Sequence, residues 1–256
     1  MKRLQDKVAV ITGGSGGIGQ ATAARFLEEG ASVVLVDIDQ AGLDAAAEAL
    51  GGGERVLTAK ADVSKEEDVK RYVQAAMDRF GRIDVFFNNA GIEGEVAPLE
   101  QQKVAMFDKV IAINVRGAYL GLKHVLPHMY EAGEGSVINT SSVAGLSGSA
   151  GVLPYVTSKH ALTGMTKVAA IEAASHNVRV NSVHPSPVNT RMMRSLEAGF
   201  APEDAEAAKA AMEKAIPLGR YGESGDIANL VLFLASDESR FITGAQYRID
   251  GGMGAL

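Results

Sequence analysis

The sequence predicts an α/β domain built on a doubly wound parallel sheet, with seven strands and helices on both faces. Three observations predict it. Short runs such as Val8-Ala9-Val10-Ile11 and Val33-Val34-Leu35-Val36 are apolar throughout, without polar alternation, as strands buried on both faces are. Helical patterns separate these runs, so the strands are joined by crossovers rather than hairpins. Finally, Gly13, Asp37, Asp62, Asn89, Ser142 and Pro185 each fall just after a strand, where open α/β sheets place their ligands.

Composition narrows the function. The chain has 256 residues and no internal repeat, so one domain spanning 1–256 is expected, long enough to bury a sizeable core. Hydrophobic residues make up 46% and charged ones 22%, an ordinary globular balance. A net charge of -6 with no basic block argues against a nucleic-acid partner. Without cysteine there is no disulfide, thiol nucleophile or cysteine metal site. The start, Met1-Lys2-Arg3-Leu4-Gln5-Asp6-Lys7, is charged, and the apolar run behind it is too short for a signal-peptide core. The longest apolar stretch, Leu230 to Ala235, is far shorter than a membrane span. A soluble cytoplasmic protein without a membrane partner is expected.

The first unit carries the strongest local signal. After Val8 to Ile11 come Thr12-Gly13-Gly14-Ser15-Gly16-Gly17-Ile18-Gly19, then a helical pattern from Gln20 to Glu29 that stops at Gly30. A second apolar run from Ala31 ends in Asp37. Strand, glycine turn, helix and strand with a terminal acid make up the dinucleotide-binding (Rossmann) unit. Its glycines let the backbone approach a pyrophosphate, and its helix start offers amide donors and the positive end of the dipole. Three glycine templates fit. Gly14, Gly16 and Gly19 satisfy one; Gly13, Gly16 and Gly19 a second; Gly13, Gly17 and Gly19 a third. No Gly-Lys-Ser/Thr is present, which argues against a nucleoside triphosphatase loop. Asp37 would accept hydrogen bonds from the adenosine ribose hydroxyls and repel a 2′-phosphate, and neither the turn nor Ile38 offers a countering positive charge. NAD rather than NADP is therefore expected. The competing reading of Asp37 is a cap for the next helix, near Asp39.

The alternation continues with a helix over about 40–50, stopped by Gly51-Gly52-Gly53, and a strand over 56–61 before Asp62-Val63. Ser64 is expected to cap a helix to about Phe80, with Glu67 completing a capping box. A strand over 83–87 enters Asn88-Asn89-Ala90-Gly91, and one long helix is expected over about 101–130. A strand over 136–140 delivers Ser141 and Ser142, a helix follows over 155–174, and a strand over 178–183 leads to His184-Pro185. Thr190 to Pro217 is polar, alanine-rich and helical, a candidate substrate lid. A helix over about 224–235 with Ser224 as cap, and a last strand over 246–250, close the chain.

The chemistry centres on Ser142, Tyr155 and Lys159. Four residues separate the phenol from the amine, so on a helix both lie on one face. A neighbouring ammonium favours phenolate, which suits a proton-transfer group. Tyr119 also has a lysine four residues on, Lys123, so the pair alone is ambiguous. His124 and His128 have helical spacing, but Pro127 intervenes and no acidic third ligand is obvious, so no metal site is expected.

With these residues in place, the chain resembles the compact NAD(P)-dependent short-chain dehydrogenase/reductase family over nearly its whole length. The resemblance rests on Thr12-Gly13-x-x-x-Gly17-Ile18-Gly19, Asp62-Val63, Asn88-Asn89-Ala90-Gly91, Asn114, Ser142, Tyr155-x-x-x-Lys159, Pro185 and Asp250-Gly251-Gly252. Ser142 stands thirteen residues before Tyr155, as that family requires, whereas Met106 holds this offset from Tyr119; the second pair is a decoy. Too little chain follows Gly219 for the substrate domain of the extended epimerase branch.

The resemblance implies roles. Ser142 holds the substrate oxygen, Tyr155 transfers the proton, and Lys159 binds the nicotinamide ribose. With the cofactor's positive charge, Lys159 lowers the Tyr155 pKa from its usual value of about 10. Asn114 holds a water that extends the relay; read alone, it is a tolerated asparagine in a helix. Gly13, Ser15, Gly17, Ile18 and Gly19 map to the phosphate turn, and Asp62 and Val63 to the adenine. Asn89, with Ala90 and Gly91 beside it, maps to the ribose, and Pro185, Val188 and Thr190 to the nicotinamide side. One departure is Pro185-Ser186-Pro187 in place of Pro-Gly, because serine lacks glycine's freedom at positive φ. The helices near 101–130 and 155–174 are the family's dimer faces, which implies a homotetramer.

Substrate choice is expected to lie with Glu93 to Val96, Val143 to Leu153 and the lid. There Met192, Met193, Leu196 and Phe200 form an adaptable apolar cover or simply pack the lid. Asn89 to Gly94 and Arg220-Tyr221-Gly222-Glu223 are similar to reductases of cyclic or otherwise hydrophobic secondary alcohols and ketones. An alcohol or ketone substrate is expected. The alternatives are a 3-oxoacyl-carrier-protein reductase, against which Asp37 and the lack of an arginine cluster weigh, and an NAD-sensing scaffold on the same fold.

Overall fold

Apolar runs buried on both faces dictate a sheet sandwiched between helices. In the computed structural model, which describes residues 2–255, seven strands form one sheet in the order β3-β2-β1-β4-β5-β6-β7. They are β1 Val8–Thr12, β2 Ser32–Asp37, β3 Val56–Lys60, β4 Val85–Asn88, β5 Gly135–Thr140, β6 Val178–Pro185 and β7 Gln246–Ile249. Every pairing is parallel. The strand order reverses between β1 and β4, the switch point beyond whose carboxyl ends such sheets bind ligands.

Helices α1 Gly17–Glu28, α2 Gln40–Ala49 and α9 Ser224–Ala235 cover one face, where Phe26, Leu43, Ile227 and Val231 pack on Ala9, Ile11, Val33 and Leu35. Helices α3 Glu66–Phe80, α5 Gly117–Ala132 and α6 Leu153–Ala173 cover the other, where Tyr72, Leu120 and Val125 pack on Val10, Val34, Val36 and Phe86. Successive residues of one strand thus serve two cores, which is why these strands show no polar alternation. α4 Val104–Val110 precedes α5, and α7 Arg191–Phe200 with α8 Ala205–Lys214 forms the segment read as a lid.

The structure departs from expectation at three places. The single long helix is broken: a π-helical stretch, Ile111–Arg116, joins α4 to α5 and carries the buried Asn114. Such wide turns are held by specific contacts rather than by propensity, and here Asn114 bonds both main-chain groups of Ile92. Ser64 does not cap α3. Its amide and hydroxyl turn back to Asp62 Oδ1, and α3 begins at Glu66 with three acidic residues on its dipole. Ser224 does not cap α9, because Glu223 and Asp226 form the capping box one residue earlier. No helix among the described residues is long and apolar enough to cross a membrane.

Candidate active site

The end of β1 is built as a cradle. The Thr12 hydroxyl accepts the amides of Asn89 (2.9 Å) and Ala90 (3.0 Å). Asn89 Nδ2 donates to Thr12 O at 3.1 Å, and its Oδ1 accepts from Thr140 Oγ1 at 3.1 Å. Asn89 therefore clamps the ends of β1, β4 and β5. Gly13 has φ +68°, and a Cβ on Gly19 would collide with Gly13 O, so the turn closes only with glycine at both places. α1 starts at Gly17 with no side-chain cap and no acidic residue in its first turn. The amides of Gly17, Ile18 and Gly19 have no acceptor among the described residues. Three free donors at a positive helix end, backed by a turn with no side chains in the way, fit a pyrophosphate.

Asp37 is tied to this turn. Its Oδ2 accepts from the Ser15 amide (3.1 Å) and hydroxyl (2.7 Å), while its only link towards α2 is the Asp39 amide at 3.3 Å. The capping reading therefore gives way to one in which Ser15 and the end of β2 share a carboxylate. At the end of β3, Asp62 is occupied by Ser64, and Val63 packs close against Gly117 at the start of α5.

β5 delivers Ser142 to the next strand ends. Ser142 is extended; its Oγ accepts from the Ala144 amide at 3.1 Å and lies 3.4 Å from Pro185 O. The turn that follows packs directly on α6, because Gly145 lies where a Cβ would sit 2.7 Å from Lys159 O. That close approach brings Ser142 to Tyr155, and the two side chains share a hydrogen bond. Lys159 is buried, donates to Thr140 O at 2.8 Å, and lies 5.4 Å above the centre of the Tyr155 ring. Gly91 faces both Lys159 and Asn114.

Burial shifts the proton affinity of both Tyr155 and Lys159. Burial pushes the Tyr155 phenol up to about 12; the Ser142 hydrogen bond opposes this, and the charge of Glu93 adds to it. Burial also pulls the Lys159 ammonium down to about 8. The Lys159 ammonium is engaged by Thr140 O, and desolvation leaves the phenol protonated. The Asn114 side chain bonds both main-chain groups of Ile92 (2.8 and 2.9 Å) and Ser158 Oγ (3.0 Å), tying the π-helical turn to α6.

The loop Pro185-Ser186-Pro187 is free of positive φ; among the described non-glycine residues only Asp6 and Asn177 adopt it. Gly222 braces the loop by bonding Pro187 O at 3.0 Å and the Asn189 amide at 2.8 Å. Thr190 lies near Gly17, joining this loop to the phosphate turn. The three segments expected to choose substrate meet: a Cβ on Gly151 would sit 3.3 Å from Val96 and 3.5 Å from Phe200. Met193 and Leu196 instead pack with Ile216, Tyr221 and Met212 in a core of the lid's own.

The decoy pair lies apart. Tyr119 is half exposed, and Lys123 and His124 both bond Glu66 Oε1 (2.6 and 2.9 Å), tying α5 to α3. A polar cavity of about 340 Å³, lined by Lys7, Asp84, Glu134, Arg179, Asp237 and Arg240, opens at the opposite, amino-terminal ends of the strands. Sequence reasoning missed two residues at the site. Ser158 bridges Asn114 to Tyr155 O (2.7 Å), and His184 bonds Ser142 O. The available signals were a serine beside Lys159 and a histidine in an otherwise buried strand end.

The chain matches known proteins over its full length. A family model described as enoyl-(acyl carrier protein) reductase matches residues 13–254. Levodione reductase of Leifsonia aquatica is 43% identical over 99% of this chain and 96% of its own. Cyclohexanol dehydrogenase of an Acinetobacter strain is 38% identical over 97% of this chain and 95% of its own. The 3-oxoacyl-[acyl-carrier-protein] reductase of Thermotoga maritima is 40% identical over 98% of this chain and 99% of its own. Among solved structures, levodione reductase superposes with a TM-score of 0.97 at 42% identity, covering 99% of this chain and 100% of the other. NAD+-bound xylitol dehydrogenase does so with 0.92 at 34% identity, covering 98% and 100%. NADH-complexed 3-ketoacyl-(acyl-carrier-protein) reductase from Brucella melitensis gives 0.89 at 34% identity, covering 98% and 99%. With a glycine turn, a tyrosine-lysine helix face and a serine in that family's order, and full-length matches of this strength, the chain belongs to the short-chain dehydrogenase/reductase family.

Proposed function

We propose that this protein is an NAD(H)-dependent oxidoreductase that interconverts a secondary alcohol and a ketone, with a cyclic or hydrophobic small molecule as substrate. The observation that carries the reading is the meeting of Ser142, the proton-retaining Tyr155 and the buried Lys159 beside an open phosphate cradle. NAD, when bound, supplies the acceptor or donor of hydride. The chain does the rest. The Ser142 hydroxyl, whose bond to Pro185 O is long at 3.4 Å, would turn to the substrate oxygen. Tyr155 takes the hydroxyl proton in oxidation and returns it in reduction. Gly17, Ile18 and Gly19 would hold the pyrophosphate, Asp37 with Ser15 the adenosine ribose, and Val188 and Thr190 the nicotinamide side. Cyclic substrates are supported by the likeness to levodione reductase and cyclohexanol dehydrogenase, and an apolar wall by Val96 and the partly exposed Phe200.

A single domain with 190–217 as its lid and a cytoplasmic homotetramer belong to the same proposal. The exposed Val104, Tyr119, Val168 and Ile171 on α4, α5 and α6 support pairing of those faces. The likeness to 3-oxoacyl-carrier-protein reductases favours a second reading, a reductase of carrier-protein-linked 3-oxoacyl groups.

A panel decides between them. Cyclic secondary alcohols with NAD are expected to generate NADH, faster than with NADP and faster than 3-hydroxyacyl thioesters. Asp37→Ala is expected to lose roughly tenfold to a hundredfold in NAD affinity, the worth of hydrogen bonds to a charged group. Thioester turnover without alcohol turnover would move the protein to the second reading.

A further inference from the structure

We infer that His184 is a positioning residue for this chemistry: in one ring tautomer it fixes the main chain of Ser142, and through it the hydroxyl offered to the substrate oxygen. The inference rests on the proposed alcohol/ketone reading. It starts from where the sheet stops. The amide of Ser141 donates to Val183 O at 2.9 Å, the last ladder bond between β5 and β6. Ser142 stands one residue beyond. There the His184 ring replaces the missing rung, with Nδ1 2.9 Å from Ser142 O.

His184 is fully buried, so both ring nitrogens need partners. A carbonyl oxygen only accepts, so Nδ1 carries hydrogen. The other nitrogen, Nε2, lies 2.8 Å from Ser182 Oγ. In a neutral ring Nε2 then accepts, and the Ser182 hydroxyl donates. The competing acceptor for that hydroxyl, Ala245 O, is distant at 3.4 Å. The ring stays neutral because burial, with the positive charges of Lys159 on α6 and Arg248 on β7, opposes protonation more than the Ser142 bond favours it. A directed chain results, from the Ser182 hydroxyl through imidazole to Ser142 O.

That chain reaches the reacting group. Ser142 O also accepts from the Gly145 amide at 2.8 Å, and Ser142 Oγ lies beside Pro185 O, the carbonyl next to His184. Without the ring, Ser142 O keeps the Gly145 amide but loses the bond that ties its peptide to β6. A serine displaced by about 1 Å costs roughly 10²-fold in rate.

Two measurements test this. Nitrogen-15 NMR of histidine-labelled protein at neutral pH, with His184 assigned by its loss in His184→Asn, is expected to show the Nδ1–H tautomer. Steady-state kinetics on an accepted cyclic alcohol are expected to show kcat reduced roughly 10²-fold in His184→Leu, with NADH affinity by fluorescence titration unchanged. His184→Asn keeps a donor for Ser142 O and is expected to recover most of kcat. Ser182→Ala removes the donor to Nε2 and is expected to release the tautomer and lower kcat; it carries the test where the leucine variant fails to fold. An Nε2–H ring or an imidazolium overturns the inference, as does wild-type kcat in His184→Leu or an equal loss in the asparagine variant. If the wild type binds NADH but oxidises no alcohol, the alcohol reading fails, while the tautomer still decides the role of the ring.

Discussion

Tyr155→Phe is expected to slow turnover by roughly 10²- to 10⁴-fold, the usual range for a lost general acid/base, while NADH binding and folding survive. Only the hydroxyl is removed. The ring that sits 5.4 Å beneath Lys159 Nζ remains, and so does the helix that carries it. The hydroxyl has one side-chain partner, Ser142, so its loss leaves no charged group stranded. Burial raises this phenol to about 12, so its folded form holds the proton more tightly than a free phenol does. The stability it contributes is complete below pH about 10 and is lost as pH rises through the folded value. Fluorescence titration with NADH, thermal melting and initial rates on the same preparation separate these effects. A phenylalanine variant within tenfold of wild type in kcat would remove Tyr155 from the chemistry.

Lys159→Met is expected to inactivate the protein, weaken NAD binding and make the cofactor-free fold more stable. A buried ammonium is costly, and here burial moves its pKa from 10.5 down to about 8. A shift of that size corresponds to about 3 kcal/mol, less about 1 kcal/mol for the lost bond to Thr140 O. The sign follows from linkage. The folded state binds fewer protons than the unfolded state between the two values, so wild-type stability rises with pH from about 8 towards 10.5. The methionine variant is therefore ahead at pH 7, by several degrees in Tm, and its lead shrinks at alkaline pH. Lys123→Ala is the control. Its exposed pair with Glu66 is screened by solvent and lies apart from the site, so neither activity nor NAD affinity should change. A lead independent of pH, or a less stable methionine variant at neutral pH, would contradict the argument. A methionine variant ahead at neutral pH marks the lysine as a residue kept for function against stability, as active sites commonly require.

The parts of this protein that were legible in the sequence are those whose causes are local. β1 and β2 could be read because both faces of each are buried, which leaves an unbroken apolar run. The glycine turn could be read because its tight closure excludes side chains. Ser142, Tyr155 and Lys159 could be picked from two candidate pairs because a strand end and a helix face hold them at a set spacing.

The remainder depends on groups far apart in the chain. The π-helical turn at Ile111–Arg116 is held by Asn114 reaching Ile92, so a helical pattern alone reads as one continuous helix. Whether Met193 and Leu196 cover the substrate or pack the lid is open in the sequence, and Ile216 and Tyr221 packed against them decide for packing. Asp37 becomes part of the cradle only when Ser15 meets it across the turn. The protonation of Tyr155 has the same character: sequence places an ammonium nearby, but only packing sets how much water is excluded and which oxygen that ammonium serves. The strands, the turn and the spacing of Ser142, Tyr155 and Lys159 follow from sequence, because periodicity and spacing are properties of neighbours. The tertiary structure alone decided their orientation and charge, including the imidazole that holds Ser142, because hydrogen bonds and desolvation arise between segments that only folding brings together.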